Sequence, residues 1–187
     1  MKKAKLRPHY KALRSLLTTD QIDDFSMAIA NQLIGLPIWS HSFYHLFLTI
    51  ETQQEINTDF ILNILSGKDK NIVISKSDFK TNTLDNFLLT DNTTLKLNAY
   101  NIPEPVDGIE IADSKIEVVF IPLLAFDLKG NRVGYGKGFY DNFLAKCKPE
   151  TLKIGLSFFE AETTIEDAFE GDIPLDICVT PKQVYTF

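Results

Sequence analysis

One short segment constrains the fold of this chain more than any other. Residues 116–121 read Ile-Glu-Val-Val-Phe-Ile, so that all but one of them are apolar. A strand with one solvated face alternates apolar and polar side chains, whereas a strand covered on both faces is apolar almost throughout. We therefore predict that this segment is a strand buried on both faces, as the strands of parallel sheets are.

The segments around this strand alternate between helical and extended patterns. Apolar residues spaced three and four apart predict helices within residues 10–36, the first starting near Arg7 and the second capped by Thr19-Asp20. Strand patterns cover residues 43–50, 71–75, 152–157, 177–180 and 184–187, helix patterns cover 58–65 and 138–146, and residues 79–100 suggest a hairpin with arms at 87–89 and 94–100. This alternation predicts an α/β fold with three layers, a mostly parallel central sheet and helices on both faces. In such a fold, ligands bind at the carboxyl ends of the strands.

Size and composition favour a single domain, residues 1–187, in the cytoplasm. A chain of 187 residues is of ordinary length for one domain, and its net charge of −6 argues against a nucleic-acid partner. The longest apolar run, residues 118–126, contains a proline and is too short to cross a bilayer, so we expect no membrane partner. Cys147 and Cys178 form no CxxC motif, and we expect both to be reduced thiols.

Basic side chains are concentrated at the N-terminus. Six of the 19 lysines and arginines precede Asp20, the first acidic residue. They leave the rest of the chain with 13 basic and 25 acidic residues, a charge of −12. Such a basic end is typical either of a site for a small anion or, as composition alone favours, of a solvated helix face.

A glycine-rich segment gives the strongest local signal. Four of the nine glycines lie within residues 130–138, and Gly134, Gly136 and Gly138 occupy alternate positions. Backbone N–H groups in such a segment can converge on an anion, Arg132 and Lys137 add positive charge, and a helix starting near Gly138 would point its N-terminus at the same place. Neither the P-loop motif nor the dinucleotide motif GxGxxG fits the segment. We predict a phosphate-binding loop; a flexible turn without a ligand is the alternative.

Carboxylates flank this segment and two predicted strands. Asp141 follows the glycines, and Asp176 precedes a strand. Both carboxylates suit Mg²⁺, which takes one or two carboxylates together with phosphate oxygens. Glu55 and Glu104 lie in predicted loops, where they would bind N–H groups of a ligand or face water. His41 and His45 have the spacing of a helical zinc pair, but their segment is predicted to be a strand, which argues against zinc.

The glycine-rich segment, Asp127-Leu-Lys-Gly-Asn-Arg-Val-Gly-Tyr-Gly-Lys-Gly-Phe-Tyr-Asp141, resembles the signature of the 5-formyltetrahydrofolate cyclo-ligase family. Four weaker matches follow the family's order along nearly the whole chain: Lys3-Ala-Lys-Leu-Arg7, Glu55-Ile-Asn-Thr58, Ile102-Pro-Glu-Pro105 and Asp172-Ile-Pro-Leu-Asp-Ile-Cys-Val-Thr180. The resemblance implies a Rossmann-like fold of the kind found in sugar-phosphate isomerases and CoA-transferases. It also implies that ATP and Mg²⁺ convert 5-formyltetrahydrofolate to 5,10-methenyltetrahydrofolate, ADP and phosphate.

The resemblance assigns roles by position. It implies ATP contacts from Lys3, Arg7, Arg132, Val133, Gly134, Tyr135, Gly136, Lys137, Gly138, Phe139 and Tyr140, with Lys137, Arg132 and Tyr140 as catalytic residues. It implies contacts with the reduced folate, with or without a polyglutamate tail, from Ile50 (or Leu48 in its place), Glu55, Glu104, Tyr135, Gly136, Lys137, Gly138 and Phe139. Asp141 and Asp176 would hold Mg²⁺.

Two other classes of function stay open at this point. One is a different enzyme on a similar scaffold, such as a sugar-phosphate isomerase or a CoA-dependent transferase, which would need no ATP. The other is a folate or nucleotide binder without catalytic activity. We expect a monomer or a weak homodimer, and we expect the glycine loop to be mobile in the absence of ligand because four glycines offer little to pack.

Overall fold

The computed structural model describes residues 1–187 and contains four α-helices around a seven-stranded sheet. The helices are α1 (Lys3–Ser15), α2 (Thr19–Ile34), α3 (Asp59–Gly67) and α4 (Phe139–Leu144), with short 3-10 helices at Glu51–Gln53 and Asp113–Lys115. The strands are β1 (Phe43–His45), β2 (Asn71–Asp78), β3 (Thr83–Leu88), β4 (Leu95–Leu97), β5 (Pro103–Pro105), β6 (Val118–Pro122), β7 (Ala125–Phe126), β8 (Arg132–Val133), β9 (Leu152–Leu156), β10 (Ile177–Val179) and β11 (Val184–Thr186). None of the helices is long and apolar enough to span a membrane.

The central sheet confirms the predicted α/β fold. Its strand order is β11-β10-β9-β6-β1-β2-β3, and the five inner strands run parallel, with β3 and β11 antiparallel at the two edges. Strand β6 lies in the middle, and its residues 118–121 are fully buried. Val118 and Phe120 pack on one face in a core cluster with α2 and α3, whereas Val119 and Ile121 pack on the other face with Phe143 of α4. The apolar run was therefore correctly interpreted as a strand covered on both faces.

Helix α1 begins at Lys3, whereas Pro8, which is best accepted in the first turn of a helix, had predicted a start near Arg7. Asp167 supplies the missing cap, since its carboxylate accepts a hydrogen bond from the Lys3 N–H at 2.7 Å. Pro8 lies inside the helix, where its missing N–H removes one hydrogen bond, while Leu6 is fully buried beside it. A contact from a distant segment thus extends the helix beyond what the local sequence indicates.

Two local predictions needed smaller corrections. Helix α2 is capped by Thr18, not Thr19-Asp20: its hydroxyl accepts from the Gln21 N–H, and the Gln21 side chain accepts from the Thr18 N–H. The predicted strand over residues 43–50 ends at His45, because the chain then turns into the 3-10 helix at Glu51–Gln53.

The hairpin predicted over residues 79–100 was wrong. Strand β3 pairs with β2, and β4 pairs with β5, so the two predicted arms do not meet. The actual turns carry Asn82 and Asn101 in the left-handed region, at φ of 54° and 59°. Asparagine tolerates this conformation, which makes both positions suited to tight turns. Two short hairpins therefore replace the single one, and the β4–β5 hairpin projects beside the carboxyl end of β2.

The topology leaves the sheet uncovered at the carboxyl ends of β1, β2 and β6. Helix α1 packs against β7 and β8 through a separate small core of Leu6, Tyr10, Leu124, Ala125 and Val133. This packing holds the N-terminal helix over these carboxyl ends and next to the residues that follow β8.

Candidate active site

A cleft of about 910 Å³ opens at these carboxyl ends. Its floor includes His45, Ser75 and Pro122, at or near the ends of β1, β2 and β6. Helix α1 forms one wall, and Phe79 with the β4–β5 hairpin forms the opposite wall. The cleft brings together most of the residues predicted for the site: Lys3, Arg7, Leu48, Ile50, Glu55, Arg132, Gly134, Tyr135, Gly136, Lys137, Gly138, Phe139, Tyr140 and Asp141.

The glycine loop, residues 134–138, joins β8 to α4 and lies against α1. The Nε atom of Arg7 donates to the Gly134 carbonyl at 3.0 Å. Gly136 has a φ of 89°, and a Cβ at this position would stand 3.1 Å from the Arg7 guanidinium carbon. Gly138 is also left-handed, at φ 75°, where it caps α4. Lys137 is exposed at the tip of the loop, where its ammonium group is available to a ligand.

Arg132 and Asp141 form an ion pair at one end of the cleft. Arg132 Nη2 donates to Asp141 Oδ1 at 2.6 Å, and Arg132 Nη1 donates to the Ile173 carbonyl. Burial lowers the pKa of Arg132, while Asp141 and then Asp172 oppose that change. About a third of the Asp141 side chain is exposed, and its Oδ2 has no hydrogen-bond partner. We call this group of charged residues, Lys3, Arg7, Arg132, Lys137, Asp141 and Asp172, the basic end of the cleft.

The structure brings Asp172, not Asp176, to the basic end. The Lys3 ammonium pairs with Asp172 Oδ2, which also accepts from the Phe169 N–H at 2.9 Å. Asp176 does not line the cleft, since its Oδ2 pairs with the Lys153 ammonium at 2.9 Å and accepts from the Lys153 N–H at 2.8 Å. The two aspartates belong to one sequence motif four residues apart, and no local pattern distinguishes them.

Glu55 lies at the opposite end of the cleft, which we call the Glu55 end. Its side chain is 3% exposed, and its oxygens accept hydrogen bonds from the Ile50 N–H at 2.8 Å and the Tyr135 hydroxyl at 2.6 Å. Burial raises the pKa of Glu55, whereas the hydrogen bonds from Tyr135 and Ile50 and the charge of Arg14 oppose the rise. Both Ile50 and Leu48 line the cleft beside it.

Arg14 is a buried site residue that sequence reasoning missed. It is 4% exposed, and its guanidinium donates to the Tyr135 hydroxyl at 2.9 Å and to the Leu123 carbonyl at 2.8 Å. In the sequence it was only one of six basic residues near the N-terminus. Its position seven residues after Arg7, two helical turns along α1, was the available signal that both side chains share a face.

Besides Asp176, two predicted site residues have other surroundings than expected, whereas Tyr140 lies where it was predicted. Val133 is fully buried in the small core beneath α1 and does not line the cleft. Glu104 is 7% exposed behind the wall, where its carboxylate accepts from the Ser77 N–H at 2.8 Å. Tyr140 lines the cleft and packs edge-on against His45; burial, and then the charge of Glu55, raise its pKa, so its hydroxyl is neutral.

The two histidines with zinc-like spacing contact different residues. His41 is 3.6 Å from Glu117, whereas His45 Nε2 is 2.6 Å from Ser75 Oγ beneath the cleft. Burial lowers the pKa of His45 to about 3, which makes its imidazole neutral. No group of three or more His, Cys, Asp or Glu side chains is arranged to hold a metal ion by itself. A metal at this site would therefore need further ligands from a substrate or from water.

Aromatic side chains form the wall opposite α1. The rings of Phe79 and Tyr100 lie 4.3 Å apart, and Phe139 meets Phe79 edge-on at 5.1 Å. Tyr100 is 60% exposed, so its ring face is available to a ligand. The cleft thus combines a cationic end, a buried carboxylate and an aromatic wall, which suits a ligand with phosphates at one end and flat rings with N–H groups at the other.

Comparison with known proteins identifies the family. The family model for the 5-formyltetrahydrofolate cyclo-ligase family matches residues 1–181. A probable 5-formyltetrahydrofolate cyclo-ligase of Schizosaccharomyces pombe is 27% identical, with 98% of this chain and 97% of that protein aligned. A 5-formyltetrahydrofolate cyclo-ligase of Haemophilus influenzae is 26% identical over 95% and 97% of the two chains. The solved structure of Aquifex aeolicus 5,10-methenyltetrahydrofolate synthetase matches with a TM-score of 0.80 and 28% identity, covering 100% of this chain and 93% of that one. This chain therefore belongs to the 5-formyltetrahydrofolate cyclo-ligase family of enzymes.

Proposed function

We propose that this protein uses ATP and Mg²⁺ to convert 5-formyltetrahydrofolate to 5,10-methenyltetrahydrofolate, with release of ADP and phosphate. One observation carries the proposal. A single cleft holds the glycine loop and four cations at its basic end and a buried carboxylate at the other, and Tyr135 of the loop contacts that carboxylate directly. A nucleotide on the loop and a folate at Glu55 would therefore meet in the middle.

The chemical difficulty of the reaction is the oxygen of the N-formyl group, which is a poor leaving group. In the proposed sequence this oxygen attacks the γ-phosphorus of ATP, the bond to the bridging oxygen breaks, and ADP leaves. The product of this step is an imidate phosphate, and N10 of the folate then attacks its formyl carbon. Phosphate departs with the former formyl oxygen and takes up the N10 proton, which completes the five-membered ring. Most of the catalysis in such a sequence is positioning and charge stabilisation.

The basic end supplies the phosphate contacts in this proposal. Lys3 and Arg7 are one turn apart on α1, and Arg132 and Lys137 face them from the glycine segment. Guanidinium groups bind phosphate oxygens bidentately, and lysine adds a mobile point charge. Backbone N–H groups of residues 133–140 complete the phosphate site, with Val133 contributing only its backbone because its side chain is buried. The neutral Tyr140 hydroxyl would donate to the transferring group.

The donor set fits Mg²⁺ at Asp141 and Asp172. Both carboxylates line the cleft beside Arg132, and each keeps one oxygen without a hydrogen-bond partner, Oδ2 of Asp141 and Oδ1 of Asp172. One or two carboxylates with phosphate oxygens are the usual magnesium ligands in nucleotide sites. A bound Mg²⁺ would neutralise phosphate charge. We assign the second ligand to Asp172 in place of Asp176, which Lys153 holds outside the cleft.

The Glu55 end supplies the folate contacts. A carboxylate can accept hydrogen bonds from the N–H groups of a pterin, and Leu48 and Ile50 offer apolar surface to the ring. Phe79, Tyr100 and Phe139 provide ring faces for the aminobenzoyl part. We assign Glu104 an indirect role, since it binds the backbone of Ser77, which lines the cleft.

The domain organisation, location, oligomeric state and partners of the protein are proposed from its sequence. We propose one catalytic domain, residues 1–187, that acts in the cytoplasm as a monomer or weak homodimer on a reduced folate with or without a polyglutamate tail. The acidic net charge of −6 disfavours a nucleic-acid partner.

Formation of the methenyl product tests the proposed function directly. Purified protein is mixed with 5-formyltetrahydrofolate, Mg²⁺ and ATP, and the near-ultraviolet absorbance of methenyltetrahydrofolate is followed together with ADP release. We expect both to rise in equal amounts and neither to rise without ATP. Folate binding without turnover would contradict catalysis and favour a binding protein. Absence of both binding and turnover would favour a sugar-phosphate or CoA enzyme on this scaffold.

A further inference from the structure

Arg14 is a buried cation whose hydrogen-bond acceptors are all neutral. Buried charges are usually paired with an opposite charge, because desolvation of a lone ion is costly. Arg14 instead donates to the Tyr135 hydroxyl and the Leu123 carbonyl, with the Gln53 carbonyl at 3.5 Å. Glu55 lies on the far side of Tyr135, so the buried cation reaches the buried carboxylate through one hydroxyl.

The chemistry of the donors fixes the direction of this chain. A guanidinium has only donors, so the Tyr135 oxygen accepts from Arg14 at 2.9 Å. The single hydroxyl proton of Tyr135 must then point to Glu55 Oε1, 2.6 Å away. Because the Ile50 N–H occupies Oε2, both oxygens of Glu55 are held in place. Hydrogen bonds aligned in one direction in this way polarise and strengthen one another.

We propose that Arg14 is a positioning residue for the reduced folate, which acts through the Tyr135 hydroxyl to hold Glu55 as an oriented carboxylate. The proposal rests on the proposed function, in which Glu55 binds the pterin N–H groups. It also makes Tyr135 a coupling element. Tyr135 lies between two glycines of the loop that would bind ATP, so the contact with Arg14 ties that loop to the folate site.

The electrostatics of the site agree with this geometry. The groups around Glu55 are Arg14 from α1, Tyr135 from the glycine loop and Tyr140 from α4, and Lys11 lies 5.3 Å from the Tyr135 ring. Burial raises the pKa of Glu55, and the positive charge of Arg14 opposes the rise. Loss of Arg14 would therefore raise that pKa further and move more of Glu55 into the neutral acid at a given pH.

The test compares Arg14→Met, Arg14→Lys, Tyr135→Phe and the double variant Arg14→Met/Tyr135→Phe. We expect Arg14→Met to raise the KM for 5-formyltetrahydrofolate about 10-fold, and to move the acid limb of kcat/KM for folate to higher pH. The KM for ATP changes less, and Arg14→Lys recovers part of the folate affinity. Because Arg14 acts through Tyr135, we expect the double variant to lie within about 2-fold of Tyr135→Phe alone.

Tyr10→Phe is the matched structural control. Tyr10 is on the same helix as Arg14, and its hydroxyl donates to the Glu162 carboxylate at 2.7 Å. This is also a hydrogen bond from a tyrosine to a glutamate, but neither residue lines the cleft. Arg14→Met that resembles Tyr10→Phe, with a lower melting temperature but unchanged folate KM and pH profile, would overturn the proposal. Additive losses in the double variant would do so as well.

Equilibrium binding of the folate is measured beside turnover, so that the two proposals can fail separately. Wild type that turns over, with Arg14 variants that bind folate normally, overturns only the role of Arg14. Wild type that neither binds folate nor turns over overturns both. If Arg14→Met does not fold, Tyr135→Phe decides the matter: a folate KM that is unchanged in this variant would contradict a role in folate positioning.

Discussion

The two ends of the cleft hold their charges in different ways. At the basic end, Lys3 and Arg132 pair directly with Asp172 and Asp141, on side chains that retain some exposure or line the open cleft. At the Glu55 end, Arg14 and Glu55 are 4% and 3% exposed and are joined only through Tyr135. In the proposed function, phosphates and a metal would exchange for these ion-pair partners at the basic end. The Glu55 end, in contrast, is a preformed site whose geometry is fixed by buried hydrogen bonds.

The largest effect is expected at the basic end, where charge changes during the reaction. Asp141→Asn removes a proposed magnesium ligand and the partner of Arg132, and we expect kcat to fall on the order of 100- to 1000-fold. We expect Asp172→Asn to lower kcat less and to raise the Mg²⁺ requirement. Steady-state rates across a Mg²⁺ titration measure both effects.

Asp85→Asn, an exposed aspartate on β3, is the matched control and is expected to retain wild-type activity. Asp176→Asn decides between the two aspartates of the closing motif. A rise in the Mg²⁺ requirement of Asp176→Asn as large as that of Asp172→Asn would contradict the placement of the metal at Asp141 and Asp172.

The next effect is at the Glu55 end. Glu55→Gln keeps the shape of the side chain, but its NH₂ group faces a donor, either the Tyr135 hydroxyl or the Ile50 N–H. We expect kcat/KM for folate to fall about 100-fold, with little change in the KM for ATP. Glu51→Gln, an exposed carboxylate nearby, serves as the control. Equal losses of folate and ATP affinity would show that the two ends are not separate sites.

A smaller effect is expected from single phosphate contacts. Lys3→Met and Arg7→Met each remove one cation of the basic end, and we expect the KM for ATP to rise about 10-fold with the folate KM unchanged. Lys5→Met on the same helix is exposed outside the cleft and provides the comparison. Initial rates at varied ATP and saturating folate measure the difference. A rise that Lys5→Met shares would point to the net charge of the helix and not to a phosphate site.

The remaining prediction concerns stability and not activity, and it comes from beneath the cleft, between its two ends. Burial lowers the pKa of His45 to about 3, below the ordinary value of 6.5. The unfolded chain therefore binds a proton that the folded chain does not, and stability falls as the pH drops from about 6.5 toward 3, by up to about 1.4 kcal/mol per pH unit. Urea unfolding at several pH values should show a weaker pH dependence for His45→Leu. The exposed His9→Leu should keep the wild-type dependence; equal slopes in all three proteins would contradict the prediction.

Much of the fold could be predicted because its strongest patterns are local. The apolar run of β6, the spacing in α2 and the strands β9 to β11 each carry their signal within a few residues. The errors have a common cause in contacts between distant segments. Asp167 caps α1, and β3 and β4 pair with neighbours outside the predicted hairpin.

The candidate site shows the same division. The glycine segment and Glu55 were predicted from short motifs, and the structure brings them into one cleft. Asp172 and Arg14 could not be singled out, because their roles depend on which side chains face them across the fold. Asp172 meets Lys3, and Arg14 meets Tyr135, over separations of more than a hundred residues.

The most direct measurement follows the formyl oxygen, since the two ends of the cleft are proposed to meet at this atom. The protein is given 5-formyltetrahydrofolate labelled with oxygen-18 in the formyl group, together with ATP and Mg²⁺, and the released phosphate is analysed by mass spectrometry. We expect one labelled oxygen in each phosphate released, in step with methenyl product. Unlabelled phosphate alongside product would contradict transfer of the γ-phosphoryl group to the formyl oxygen, and with it the proposed joint action of the basic end and the Glu55 end.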